Sequence, residues 1–363
     1  MFITGLNVKT GWETYLADAA ASRHYDLEIR FNRPQPLDKI KALVSAVPGV
    51  QSIEAWNLTP AALYRPDSLE IVRTYPDGGH GSFSLRSATP ETTLVDLPLL
   101  SGRWLQPGDA AGVVMNQNAA AFFPDAKIGD EITLMVAGKS VTYRLVGTVK
   151  QILTPATAYL LPATYAQSTG MSAADTTNAV RIVLTQHNAA SISAVTGSLE
   201  NALAAENIRM KVVISETMLE SATSGHVYIF FFALILIAVV MAVVGALGLM
   251  SSMSTSVIER TREFGIMRAI GARSRIILRN IISEGVFIGL LSWLIAVPLS
   301  LPLTWGLGYL VGMMSFRAAL PLMLSPWAVF GWLILVVTGS IGASAYPARQ
   351  ASRLTVRETL AYV

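Results

Sequence analysis

The chain has 363 residues, 52% of them hydrophobic and 14% charged, with a formal net charge of +3 and no cysteine. Charged residues make up about a quarter of an ordinary soluble chain, so this depletion argues against a wholly soluble protein. The missing cysteines exclude disulfides and thiolate metal sites and are compatible with an oxidising compartment. The arginines gather beside apolar stretches rather than along a basic, aromatic-studded surface, which excludes a nucleic-acid partner.

The excess hydrophobicity lies almost entirely after His226, and the sequence before it reads as globular. Residues 26–31 alternate as a short strand. Leu37, Ile40, Leu43, Val44 and Val47 then follow helical spacing until Pro48-Gly49, and residues 50–56 make a second strand. A similar unit returns much later, as a strand at 179–185, a helix carrying Ile192, Val195, Leu199, Ala202 and Leu203, and a strand at 210–214. Two strand–helix–strand units so far apart predict one split α+β lobe with an insertion between them. That insertion, residues 63–161, is strand-rich. Its clearest element is a hairpin, 131–136 and 141–149, around a four-residue turn Ala137-Gly138-Lys139-Ser140.

The Gly-Lys-Ser tripeptide invites comparison with a phosphate-binding loop. Such a loop needs another glycine five residues before Gly138, where Thr133 stands, and a helix after Ser140. The hairpin reading therefore prevails, and the chain is expected to carry no ATP site, no cofactor and no catalytic cluster. His24, His80, His187 and His226 lack metal-ligand spacing. Asp18, Asp26 and Glu28 near His24 are expected to be surface charges.

Three apolar spans follow. The first, 227–250, is uncharged and long enough to cross a hydrocarbon core of about 30 Å. The second, 281–314, contains only Glu284 as a charge, and Pro298 and Pro302 predict a kink; a pair of spans separated by a tight turn is the alternative. The third, 326–345, has Trp327 and Trp332 toward one end and Tyr346 at the other, as interfacial anchors do. Gly331, Gly339, Gly342, Ala343 and Ser344 offer close helix packing. The fold class expected is thus an α+β extracytoplasmic domain, residues 1–225, followed by an α-helical transmembrane domain, 226–363.

Arginine placement sets the orientation. Arg260, Arg262, Arg268, Arg273, Arg275 and Arg279 follow the first span, and Arg349, Arg353 and Arg357 follow the third. Only Arg317 lies between the second and third. The positive-inside rule makes 251–280 and 346–363 cytoplasmic and residues 1–225 external. An external amino-terminal domain needs an export device, yet residues 1–8 are too short for a signal peptide and lack a basic start. The expectation is an upstream helix whose outer end is residues 1–8, or else export driven by the later spans.

The connection 256–279 is the most specific segment. Glu259 three residues before Arg262 supports a helix, and Val257, Ile258, Phe264, Met267 and Ile270 supply apolar contacts. Gly265 and Gly271 each cost about 1 kcal/mol inside a helix, which predicts bends, caps or close approach to another chain. An amphipathic helix facing lipid headgroups and a partner-binding helix are both compatible with these residues. In the tail, Arg349, Arg353 and Arg357 would align on a continuous helix, but Thr355-x-x-Glu358 also fits a capping box that would start a new one. That stripe suits either headgroups or an ATPase.

The run from Glu259 to Ala272, ERTREFGIMRAIGA, resembles the hallmark of the MacB/FtsX-like ABC transporter permeases. Tyr346-Pro-Ala-Arg-Gln-Ala-Ser-Arg353 with Val356-Arg-Glu-Thr-Leu360 resembles the closing motif of that family. Leu100-Ser-Gly-Arg-Trp-Leu-Gln-Pro-Gly-Asp109 and Ile128-Gly-Asp130 resemble its periplasmic domain. The resemblance implies a multi-pass protein of the bacterial inner membrane, with four transmembrane helices per permease, of which three are visible here. It implies a homo- or heterodimer of permeases, a separate cytoplasmic ABC ATPase, contact with membrane lipid, and a periplasmic accessory protein. It also implies that 259–272 is the coupling element touching the ATPase. Glu259, Arg260, Glu263 and Arg268 would make polar contacts there, with Met267 and Ala272 beside them and Gly265 and Gly271 permitting close packing. Members of the family export drugs or peptides, extract lipoproteins, or regulate cell-wall hydrolases without transport.

Overall fold

A computed structural model describes residues 1–64, 83–172 and 175–353, with the backbone alone over 216–217 and 219–227. His80, Arg357 and the Thr355–Glu358 motif lie outside the described residues. In chain order the elements are α1 (Phe2–Ala21), β1 (Leu27–Pro36), α2 (Leu37–Ser45), β2 (Val50–Leu63), β3 (Phe83–Ser87), β4 (Leu99–Gly102), β5 (Gly112–Asn116) and α3 (Gln117–Ala120). There follow β6 (Glu131–Val136), β7 (Lys139–Val149), β8 (Ala156–Leu160), α4 (Pro162–Thr169), β9 (Thr176–Leu184), α5 (Ala189–Ala205) and β10 (Met210–Ser215). Four long or short helices close the chain: α6 (Glu216–Glu259), α7 (Thr261–Ala269), α8 (Ser274–Phe316) and α9 (Pro326–Arg353). The chain forms two compact units, one of residues 15–224 with 312–318, the other of residues 1–14, 225–311 and 319–363.

The first unit is built on a mixed sheet in the order β10-β1-β9-β2-β3-β8-β5-β7-β4, with β6 pairing β2 and β7. The two distant strand–helix–strand units join as expected, because β9 inserts between β1 and β2, antiparallel to both. Alternation sends Leu27, Ile29 and Phe31 of β1 and Val180, Ile182 and Leu184 of β9 to one face, where they meet Ile40 and Val44 of α2 and Ile192, Val195, Leu199 and Leu203 of α5. Each such side chain removed from water contributes roughly 1.5–3 kcal/mol, which explains why this periodicity is legible in the sequence. Around β5, β6, β7 and β8 a second core gathers Val113, Met115, Leu134, Tyr143, Leu145 and Tyr165.

Two local expectations change. The second strand is 14 residues long and serves both lobes: 50–56 pair with β9, and 57–61 pair with β3. Pro60 hides this in the sequence. It lies where β2 has left β9 and not yet met β6, which pairs only from Ala61, so one strand edge needs no donor there. The hairpin turn is also tighter than four residues. Val136 pairs with Lys139, and Ala137 and Gly138 make the turn alone, with φ of 47° and 78°. Two successive positive φ values are those of a type I′ hairpin, whose twist matches that of the flanking strands.

Asp26 and Glu28, expected at the surface, are instead buried, Glu28 at 2% exposure. Because Glu28 alternates with Leu27 and Ile29, it points to the face away from α2 and α5, and that face is covered. Its Oε1 accepts from Arg30 Nε at 2.8 Å, and its Oε2 accepts from Arg86 Nη1 at 3.2 Å and Arg181 Nε at 3.1 Å. The Arg181 guanidinium stacks on Trp56 at 3.7 Å and on Tyr25 at 4.5 Å. Burial works against the Glu28 charge, but Arg86, Arg181 and Arg30 outweigh it and hold the carboxyl well below its ordinary range.

In the second unit three helices are long and apolar enough to cross a membrane, Tyr228–Glu259, Ser274–Phe316 and Pro326–Arg353. The second runs unbroken through Pro298 and Pro302, so one span replaces the alternative of two. Packing of α8 on α9 depends on small residues. A Cβ added at Gly285 would collide with Ser344 Oγ, and one at Gly289 with Ser340 Oγ. Gly339 and Gly342 face open space instead, so the close approach falls on the serines of α9 rather than on its glycines. Residues 2–8 lie in α1. Phe2 stacks on Trp332 with centroids 5.4 Å apart, and buried Asn7 accepts from Ser325 N–H at 2.9 Å while donating to Thr304 Oγ1 at 3.4 Å.

Candidate functional site

The arginine-rich connection folds into a helix, α7, set off from α6 by a break at Arg260, whose φ and ψ are −101° and 14°. Beside the break, the Thr261 hydroxyl donates to the carbonyls of Val257 at 3.0 Å and Ile258 at 2.8 Å. Such back-bonding competes with the helix ladder and bends helices. Glu263 in the first turn of α7 suits the positive end of the helix dipole.

The far end of α7 closes as a Schellman motif. Gly271 N–H donates to Arg268 O at 3.0 Å and Ala272 N–H to Met267 O at 2.9 Å, with Gly271 at a φ of +100°. Within the chain nothing lies within 4 Å of a Cβ added at Gly271, and the positive φ by itself calls for glycine there. Gly265, by contrast, is buried within α7.

The inner face of α7 is anchored to three other helices. Phe264 is buried in a cluster with Val257 at the end of α6, Ile277 and Ile281 near the start of α8, and Ala348 and Ala351 near the end of α9; Met267 packs against its edge. Two arginines reinforce this packing. Arg260 donates from Nε to Glu263 at 3.0 Å and from Nη1 to Glu284 of α8 at 3.2 Å. Arg268 donates from Nη2 to Ser274 Oγ and to the Ser352 carbonyl of α9, both at 2.6 Å. Alongside α7 runs a cavity of about 360 Å³ lined by Arg260, Glu263, Met267, Asn280 and Glu284 among others.

Exposed on or beside α7 are Glu259 at the end of α6, Arg262, Glu263 and Ile266, the last two also at the cavity wall, with Ile266 at 50% exposure and Ile270, the residue after the helix, at 80%. Ala272 is half-buried beyond the cap. On α9, Arg349 and Arg353 are exposed four residues apart while Ala348, Ala351 and Ser352 face inward. The geometry therefore brings together the connection and the tail, and it adds Glu284 and Ser352, which the sequence analysis did not select. A lone carboxylate near the start of an apolar span was the available signal for Glu284, since such groups require a partner.

Residues 7–217 match the family description of the MacB-like periplasmic core domain, and residues 214–356 match that of the FtsX-like permease C-terminal domain. Among characterised proteins, the chain is similar to the macrolide export ATP-binding/permease protein MacB of Burkholderia lata. The two are 40% identical over 126 residues, which is 35% of this chain and 18% of that protein. The protein of the same name from Bdellovibrio bacteriovorus is 36% identical over 128 residues, 35% of this chain and 18% of its own length. The chain thus spans under a fifth of the length of these relatives. Among solved structures, the periplasmic region of MacB from Actinobacillus actinomycetemcomitans aligns over 58% of this chain and 98% of its own, with 12% identity and a TM-score of 0.35.

Proposed function

The chain belongs to the permease family defined by the MacB-like periplasmic core domain and the FtsX-like permease domain, and on this basis we propose that it couples ATP hydrolysis by a separate cytoplasmic ATPase to movement of its periplasmic domain. It is an inner-membrane permease, with a domain on the periplasmic side. The observation that carries the coupling reading is α7 itself. This short helix is fixed on its inner side to α6, α8 and α9 and presents isoleucines and charges on its outer side. A helix anchored in this way passes on a push received at its outer face, whereas a helix resting only on headgroups would need no such anchoring.

In this reading Ile266 and Ile270 are the apolar contacts with the ATPase, Glu259 and Glu263 the polar ones, and Arg268 a positioning residue that holds α7 against α9. Gly271 fixes the direction in which the chain leaves α7, and Ala272 follows it. Closure of the ATPase pair around ATP displaces α7, and the displacement enters α6 and α8. In chain order α6 begins at Glu216, the residue after β10. Two permease chains work as a pair, and the periplasmic domain acts on cargo or on an accessory protein there. Arg349 and Arg353 contribute to the same cytoplasmic surface.

The test is to reconstitute the chain in lipid nanodiscs with an ABC ATPase subunit from the same cell and to measure ATP hydrolysis. Glu263→Ala should reduce the stimulation that the permease gives, with membrane insertion intact. Unchanged stimulation by Glu263→Ala together with Ile270→Ser would overturn the assignment of α7.

A further inference from the structure

We infer that the ion pair between Arg260 and Glu284 is the pin that holds the coupling helix to the second membrane helix, which makes Glu284 a positioning residue for coupling. Three observations lead to this pair. First, Arg260 sits at the break between α6 and α7, where its φ and ψ leave helical values although its N–H still donates to Ser256 O at 3.1 Å and its carbonyl accepts from Phe264 N–H at 3.2 Å. Second, the side of α7 facing Glu284 is not close-packed, because the cavity of about 360 Å³ lies there. Phe264, Met267 and Ile281 form part of the cavity wall and pack α7 on α8, and the polar contact between the two helices beside the cavity is the 3.2 Å bond from Arg260 Nη1 to Glu284 Oε2. Atoms lining a gap lose their dispersion partners, so the charged contact there sets the position. Third, Glu284 belongs to the apolar span Ser274–Phe316, where a carboxylate is costly unless it is paired.

The arrangement also supplies a second state. Arg260 divides its guanidinium between Glu284 and Glu263, which lies on α7 itself at 3.0 Å. If the bond to Glu284 breaks, the arginine keeps a carboxylate partner in Glu263, so of the three charges only Glu284 gives up its pairing when α7 swings over the cavity. A contact that can be released in this way suits an element that moves in a cycle, and this role rests on the coupling function proposed above.

The chain contains no cysteine, so a pair of introduced cysteines labels uniquely. Nitroxides at Ala269 of α7 and Ser283 of α8, both exposed, report the distance between the helices in the full chain in nanodiscs, with no ATPase present. The wild-type distribution should be dominated by one docked distance. Glu284→Gln should raise the undocked population by roughly two- to fivefold, the range expected for a partly exposed pair. Reversing the pair, R260E with E284R in an E263Q background that removes the like-charged neighbour, should restore the docked distance. An unaltered distribution in Glu284→Gln, or a reversed pair as broad as that variant, overturns the pin. Because no ATPase is present, this result stands apart from the coupling assay. A docked distance that depends on the pair, with stimulation that does not, would overturn the function and leave the pin.

Discussion

Replacing Glu28 by Gln is the sharpest perturbation of the periplasmic domain. The change keeps the shape of the side chain but removes the one negative charge that Arg30, Arg86 and Arg181 share, with side-chain exposures of 17%, 5% and 0%. Leaving a buried charge without its partner costs about 3–5 kcal/mol, and here three are left. With a urea dependence of about 2–3 kcal/mol per M for a domain of this size, the unfolding midpoint should fall by about 1–2 M. Tryptophan fluorescence can follow this, since Trp56 stacks on Arg181. The pH dependence has a definite sign. The folded-state pKa of Glu28 lies below its unfolded value of about 4.3, so the carboxylate contributes fully above that value and loses its contribution as pH falls beneath it. The difference between wild type and Glu28→Gln should therefore be flat from about pH 5 to 8 and shrink in stronger acid. A midpoint shift worth under about 1 kcal/mol at neutral pH would refute the reasoning, because it would mean that the arginines do not depend on Glu28.

Other consequences are equally specific. Gly271→Ala should destabilise the cap of α7 by about 1–2 kcal/mol through the left-handed backbone, and hydrogen exchange should show faster loss of the Ala272 amide proton that Met267 O accepts. Gly271→Asn should be milder than Gly271→Val, since asparagine tolerates positive φ. Gly289→Leu should separate α8 from α9 at Ser340, with an overpacking cost of about 1–3 kcal/mol, visible as a lower thermal midpoint in detergent. The same substitution at Gly245, where an added Cβ meets nothing within the chain, should leave that midpoint unchanged.

Much of this architecture can be read from the chain because apolar period and burial coincide. The α5 positions Ile192, Val195, Leu199 and Leu203 recur at helical spacing and all lie in the core, and the three spans announce themselves by length and lack of charge. What escapes the sequence is pairing at a distance. Glu28 looks like a surface acid until β9 brings Arg181 opposite it and β3 brings Arg86 across. The full length of β2 is masked by Pro60, whose cost depends on which edge has a neighbour. In the connection after the first span, the resemblance singled out 259–272, but Arg268 could be assigned to an intramolecular bond only once Ser274 and the end of α9 were in place. Gly271 could be a cap or a packing site from sequence alone, and its positive φ shows that it is a cap.

The central claim is that the outer face of α7 meets an ATPase. A photo-crosslinking amino acid at Ile270, 80% exposed, tests it in cells, with Phe287 of the membrane span, 60% exposed, as the reference position. The account predicts an adduct at position 270 that contains an ABC ATPase subunit, identified by mass spectrometry, and none at position 287. An ATPase-free pattern at position 270, or the same adducts at both positions, would contradict it.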